Sequence, residues 1–186
     1  MGNHFQTLVV PDATDAEAAQ LARRGLDWLV AAGIVRAERT DCVLGAPLGH
    51  PPGPAWERAV AEPDWEPDGG LAVHTGRQVF HAGQDAPEFA VCPGCATSTA
   101  LVEDAWQRFD AAIRVWAGGG TTAARVGCRA CGRDAEVTAW QWHDDRFALA
   151  CLGFEFWDWT EFGTDFLTDF AEALGGRRVV RVWGKF

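Results

Sequence analysis

Two short cysteine pairs constrain this chain more than any other feature: Cys92-Pro93-Gly94-Cys95 and Cys128-Arg129-Ala130-Cys131. Each Cys-x-x-Cys turn presents its two sulfurs to one side, so the two turns together offer four thiolates to one ion. Zn²⁺ suits such a set, because it has no d-electron preference and accepts a closed tetrahedron of sulfur. The expected cofactor is therefore one structural Zn²⁺ per chain on Cys92, Cys95, Cys128 and Cys131. Zinc ribbons usually separate their knuckles by about 15 to 20 residues, but the interval from Cys95 to Cys128 is longer and carries a helix signal. Leu101, Val102, Ala105, Trp106, Phe109, Ala112, Ile113 and Trp116 recur at steps of three and four, as one helix face does. Ser98 or Thr99 is placed to cap its start and Gly118-Gly119-Gly120 to stop it. A helix from Thr99 to Ala117 carries the chain about 28 Å at ~1.5 Å per residue. The return from Gly118 to Gly127 spans at most about 33 Å. The excursion closes, and the reading is a zinc ribbon with a helix between its knuckles.

Other chemistries fit the cysteines less well. A thioredoxin-like redox pair opens a helix in a βαβ setting, which neither motif clearly does. Disulfides imply an oxidising compartment, and no secretory signal peptide is visible. Catalytic zinc keeps one coordination position open, whereas four cysteines fill the shell.

Charge limits the partners. The chain has 186 residues, 48% of them hydrophobic, and a net charge of −10. That is enough apolar material for a real core. Zinc ribbons often serve nucleic-acid machinery, yet binding to a phosphate backbone depends on Lys and Arg, so no nucleic-acid partner is expected. Arg125, Arg129 and Arg133 read as local offsets to the thiolate cluster. No apolar run reaches the length of a membrane span, and the N-terminus lacks a myristoylation signal. The expected location is the cytoplasm, with no membrane partner. A single lysine, no tyrosine and abundant Ala, Gly and Arg suggest a GC-rich bacterial genome.

The remaining elements follow in order. His4 to Val10 reads as a strand ended by Pro11. Thr14-Asp15-Ala16-Glu17 reads as a capping box, and Leu21, Gly25, Trp28, Leu29 and Ala32 as the buried stripe of a helix that Gly33 ends. Ile34 to Leu44 reads as a half-exposed strand. Gly45 to Gly70 holds Pro47, Pro51, Pro52, Pro54, Pro63 and Pro67, which exclude a long regular element apart from one turn near Trp56 to Val60. It reads as a long loop pinned by Trp56 and Trp65, either a surface crossing or a binding lid. Leu71 to Phe80 reads as a strand with a turn at Thr75-Gly76. Phe89 to Val91 leads into the first knuckle, Ala135 to Trp142 closes the ribbon, and His143-Asp144-Asp145 is a polar turn. Phe147 to Trp157 reads as a central strand. Thr164 is expected to cap a short helix with Phe166, Leu167, Phe170 and Leu174 inward. Gly175-Gly176 ends that helix, and Arg177 to Trp183 is the last strand.

Strand–helix–strand at both ends of the chain points to an α+β fold: a split βαβ, ferredoxin-like sandwich with an inserted zinc ribbon carrying a helix. The expected division is residues 1–86 with the proline-rich loop 45–70, the ribbon at 87–143, and 144–186 completing the body. The second knuckle, the segment Gly153-Phe154-Glu155-Phe156-Trp157-Asp158-Trp159 and the closing Gly184-Lys185 resemble a group of uncharacterised actinobacterial proteins. These share a Cys-x-x-Cys pair and a Gly-Phe-x-Phe-Trp-x-Trp segment before a C-terminal Gly-Lys. The resemblance covers the last 100 residues or so. It implies a fold and a zinc site, and nothing catalytic.

Several other groups are candidate sites. Gly118-Gly119-Gly120-Thr121-Thr122 lacks the lysine a phosphate loop needs. His50, His74 and His81 would have to converge with a carboxylate to bind a second metal. Cys42 and Cys151 read as free thiols packing as small hydrophobes. Trp157, Asp158, Trp159 and Glu161 form the candidate interaction loop, since exposed tryptophan with acidic neighbours suits an interface. The leading expectation is a non-enzymatic, zinc-stabilised protein-interaction module with a protein partner, of which an immunity-type or regulatory antagonist is one form. The alternative is a small-ligand enzyme with a pocket under loop 45–70 and Asp158, Glu161 or His74 as acid–base groups.

Overall fold

The computed structural model describes residues 3–45, 48–83, 87–119 and 124–185; Pro47, Gly120, Thr121 and Thr122 lie outside them. In chain order the regular elements are β1 (His4–Val9), α1 (Asp15–Ala31), β2 (Leu71–His81), β3 (Phe89–Val91), β4 (Ser98–Ala100), α2 (Glu103–Ala117), β5 (Arg125–Gly127), β6 (Asp134–Glu136), β7 (Gln141–Trp142), β8 (Phe147–Trp157), α3 (Thr164–Ala173) and β9 (Val180–Lys185). The architecture is mixed α+β.

Four strands form the main sheet in the order β2-β8-β1-β9, each neighbour antiparallel. It follows that β1 and β2, which flank α1 in sequence, run the same way with β8 between them. β8 is nearly all apolar, as a strand flanked on both sides should be, and ten of its eleven residues are buried. At the start of α1 the Glu17 carboxylate accepts the Thr14 N–H at 3.2 Å and the Thr14 hydroxyl at 2.6 Å, so the capping signal in the sequence operates. The helix then buries Ala18, Leu21, Ala22, Gly25 and Leu29. These meet Leu8 of β1, Val10 just past its end, Leu71 of β2, Leu152, Phe154 and Phe156 of β8, and Phe166 and Phe170 of α3 in the main core. Phe154 stands edge-on to Phe170, centroids 5.0 Å apart, a favoured aromatic geometry.

The β2–β8 pair is irregular between Thr75 and Gln78. Gly76 takes φ +89 there, a conformation that costs glycine little. Beyond this bulge the sheet curls, and Gly83 bridges in parallel to Lys185 on the far edge strand β9. Val9, Phe80, Ala148, Ala150, Val180 and Val182 form a second, small core.

The segment between β2 and β8 makes two smaller sheets, β4-β3-β7 and β5-β6, around α2. Phe109, Ala112 and Ile113 of α2 pack with Val137, Trp140 and Trp142, and the same cluster takes in Phe147 and Leu149 of β8. Arg77 of β2 adds a tie to α2: its guanidinium donates to the Trp116 carbonyl at 2.9 Å.

Several expectations are corrected. Ile34 to Leu44 is not a strand; Val35 and Thr40 make only isolated bridges to Pro52 and Gly49. Its run of charged side chains leaves no continuous apolar face to bury. Trp56 is buried at 9% exposure, but Trp65 stands out at 59% and pins nothing. Ser98 and Thr99 do not cap α2: they pair with β3, and Val102 takes the N-cap position. Ala135 to Trp142 is broken by a helical turn at Val137–Ala139 that points Val137 into the core. Gly163, not Thr164, is the N-cap residue of α3.

One consequence of this packing is testable. A Cβ built on Gly25 falls 2.6 Å from the Phe154 ring and 3.2 Å from Leu174, so the helix lies closer to β8 than any larger residue permits. Alanine is the better helix former by about 1 kcal/mol, yet Gly25→Ala is expected to lower stability by about 1 to 3 kcal/mol through overpacking. Urea unfolding of both proteins checks this; a stabilised variant would contradict the packing described.

Candidate metal centre

Each cysteine pair sits in the turn of a short hairpin. β3 and β4 pair as Phe89↔Ala100 and Val91↔Ser98, and Cys92 N–H continues the ladder to Thr97 O at 3.0 Å. β5 and β6 pair as Arg125↔Glu136 and Gly127↔Asp134, and Cys128 N–H continues to Arg133 O at 2.9 Å. Both turns close in the same way. Ala96 N–H donates to Cys92 O, and Gly132 N–H to Cys128 O, each at 2.9 Å. The two closing residues are left-handed, Ala96 at φ +57 and Gly132 at φ +71. The second knuckle uses glycine for this conformation, whereas the first strains an alanine by about 1 kcal/mol.

The four sulfurs converge although their motifs lie far apart in sequence. All lie within 4.8 Å of one another. Cys92 Sγ is 4.0 Å from Cys131 Sγ, and Cys95 Sγ is 3.8 Å from Cys128 Sγ. A tetrahedral ion with metal–sulfur bonds of about 2.3 Å has sulfur–sulfur edges of about 3.8 Å. The donor set therefore fits a four-coordinate, sulfur-loving metal ion with no position left for a substrate. Cys92 and Cys128 are buried, Cys95 and Cys131 exposed. The Gly94 N–H donates to Cys92 Sγ at 3.3 Å, and Thr97 Oγ1 lies 3.3 Å from Cys95 Sγ. Thr97 is a residue that sequence reading passed over; its place two positions after Cys95 is the signal.

The thiols differ in acidity. The Thr97 hydroxyl and N–H bring Cys95 down to about 6. At Cys131 the Arg133 N–H pulls downward, but burial and the neighbouring sulfurs outweigh it and push the thiol up to about 11. Hydrogen bonding from the Cys131 and Ala130 backbone lowers Cys128.

The other candidates do not join this centre. Trp157 and Trp159 are each 5% exposed, which corrects the expectation of exposed tryptophans on the loop 157–161. Trp157 Nε1 donates to Glu155 at 2.8 Å and Trp159 Nε1 to Gly69 O at 3.1 Å, so both rings are used to hold loop 45–70 and the sheet. Asp158 accepts the His4 N–H at 2.8 Å. Glu161 is 2.8 Å from Arg181. His74 Nε2 lies 3.4 Å from Glu155 Oε1. The three proposed acid–base groups thus have three separate partners. Glu155, which faces both His74 and Trp157, was not singled out; a lone carboxylate in an apolar strand was its signal. His50 takes the Arg36 carbonyl at 3.0 Å and His81 that of Gly83 at 3.0 Å, so the histidines do not converge. Cys42 packs beside Phe5, Val43, Ala72 and Trp157, and Cys151 lies in the main core.

No protein-family model matches the chain, and neither the curated proteins nor the solved structures yield a match. Among the described residues, no helix is long and apolar enough to cross a membrane.

The thiol acidities set a pH dependence. A metal ion binds thiolates, so acid unloads it by returning protons to sulfur. A thiol lowered to about 6, as Cys95 is, stays ionised above that pH and resists protonation until below it. Cys131, pushed up to about 11, works the other way, since the ion must displace its proton on loading. Metal loss is therefore expected to rise as the pH falls. A chromophoric chelator reading released metal across a pH series checks this; release that does not rise toward acid would contradict it.

Proposed function

We propose that the chain is a zinc-stabilised protein-interaction module: a split βαβ, ferredoxin-like body with an inserted zinc ribbon whose knuckles are separated by a helix. The convergence of Cys92, Cys95, Cys128 and Cys131 is the observation that carries this reading. A full sulfur shell favours a structural over a catalytic ion, and zinc is the common occupant of such a set. The main-sheet order, with β8 inserted between β1 and β2, supports the ferredoxin-like assignment. A net charge of −10 favours a basic protein surface as partner and disfavours nucleic acid. A regulatory or antagonist role is consistent with that charge, by analogy alone. The separate partners of Asp158, Glu161 and His74 weaken the alternative of an enzyme built on those three.

Elemental analysis of protein purified without chelator should find one zinc per chain. Cys128→Ser should strip the ion although Cys92 and Cys95 remain, because one knuckle alone cannot fill a tetrahedral shell. Binding free energy in small metal modules is largely folding free energy, so the variant should lose hydrogen-exchange protection from about Phe89 to Trp142. The sheet β2-β8-β1-β9 should keep its protection at the end where Phe154 and Phe156 meet α1 and α3. Unchanged protection throughout the insert would mean that the ion is dispensable there and that the cysteines serve redox or catalytic chemistry instead.

A further inference from the structure

Away from the sulfur cluster, the last turn of α1 and the C-terminal half of α3 leave a cleft of about 520 Å³ between them. Its shape follows from the sequence. Ala31 on α1 and Ala173 on α3 are too small to close the gap between the helices. Trp28 leans on Phe166 and Phe170, centroids 6.1 and 5.9 Å away, and also lines the cleft. Asp169 and Glu172 are three apart on α3, so they share a helix face. Both line the cleft, and neither meets a cation at ion-pair distance among the described residues. Arg58, from the helical turn Trp56–Ala59, also lines the cleft and donates to the Ala32 carbonyl at 3.4 Å. That contact is long and exposed, which leaves the guanidinium free to turn toward a ligand. α1 has no basic residue in its last turn, so its negative C-terminal end adds to the attraction for cations on this side.

We propose that this cleft binds a basic amino acid such as L-arginine. The charge pattern of the walls, two carboxylates and one guanidinium, is the complement of a ligand with two cationic groups and one carboxylate. The ligand's side-chain cation lies over the Trp28 ring, where a ring quadrupole attracts it, with one of Asp169 and Glu172 as its counter-charge and the other facing the α-ammonium. Its carboxylate turns to Arg58, whose planar fork suits a carboxylate. A cleft of this volume holds a molecule of that size with room for water, and an open cleft predicts modest affinity. The site is independent of the metal reading, and neither stands or falls with the other.

Calorimetric titration of the full zinc-loaded chain with L-arginine tests this, with the Trp28 indole resonance read in parallel to locate binding. Saturable binding is expected, with the indole signal shifting along the same curve. L-citrulline, which keeps the shape without the side-chain charge, should bind about tenfold more weakly or worse, the loss of one charged hydrogen-bonding group. The double variant Asp169→Asn, Glu172→Gln should weaken L-arginine by a similar factor; both positions are exposed, so folding is preserved and an unchanged melting curve verifies it. Arg58→Ala should weaken L-arginine and leave agmatine, which lacks the carboxylate, unaffected. The proposal is overturned if L-arginine shows no saturable binding at millimolar concentration, if citrulline binds equally well, or if the double variant binds as the parent does.

Discussion

Four thiolates cannot be brought together without a counter-ion, and in this chain they must also be brought together across a helix. That constraint organises the insert. Each hairpin has only three residues per strand, far below what holds a two-stranded ribbon in water. What fixes them is the shared sulfur centre at their tips and the core behind them. The ladder bonds from Cys92 to Thr97 and from Cys128 to Arg133 set the two turns in matching conformations, so that the four sulfurs fall at the corners of one small tetrahedron. α2 then does by packing what an ion held on the four sulfurs would do by coordination. Phe109 stands edge-on to both Trp140 and Trp142, which ties the helix to the strand that leads back to the body.

The insert is not a bead on a string. Phe147 and Leu149 belong to β8, the strand at the centre of the main sheet, yet they lie in the core of the insert. Trp142 and Phe147 are in ring contact at 4.6 Å, and Arg77 of β2 reaches the last turn of α2. Because β8 is shared, loss of order around the sulfurs has a direct mechanical route to one end of the sheet. The other end, where Phe154 and Phe156 meet α1 and α3, rests on its own aromatic packing and has no such dependence.

Much of this was legible in the amino acids. The cysteine spacing located the centre, the apolar run Phe147 to Trp157 marked β8 to the residue, and Thr14 with Glu17 marked the start of α1. The failures share a cause: local signals were overridden by pairing and burial that no short window contains. Ser98 and Thr99 look like helix caps, but the knuckle needs a return strand and they supply it. Trp157 and Trp159 sit beside acidic residues, which suggested exposure; their indole N–H groups instead found Glu155 and Gly69, and the rings went inside. Trp65, with Pro63 and Pro67 as near neighbours, has no such partner among the described residues and stays out. The cleft residues Trp28, Arg58, Asp169 and Glu172 come from three separate segments, and only the packing of α1 against α3 brings them together.

X-ray absorption at the zinc edge on freshly purified protein tests the central claim most directly, since it reads ligand type and distance at the ion itself. The account predicts a single shell of four sulfurs at about 2.3 Å with no nitrogen or oxygen contribution. A mixed shell containing nitrogen or oxygen, or a metal-free protein whose two cysteine pairs are oxidised, would contradict it.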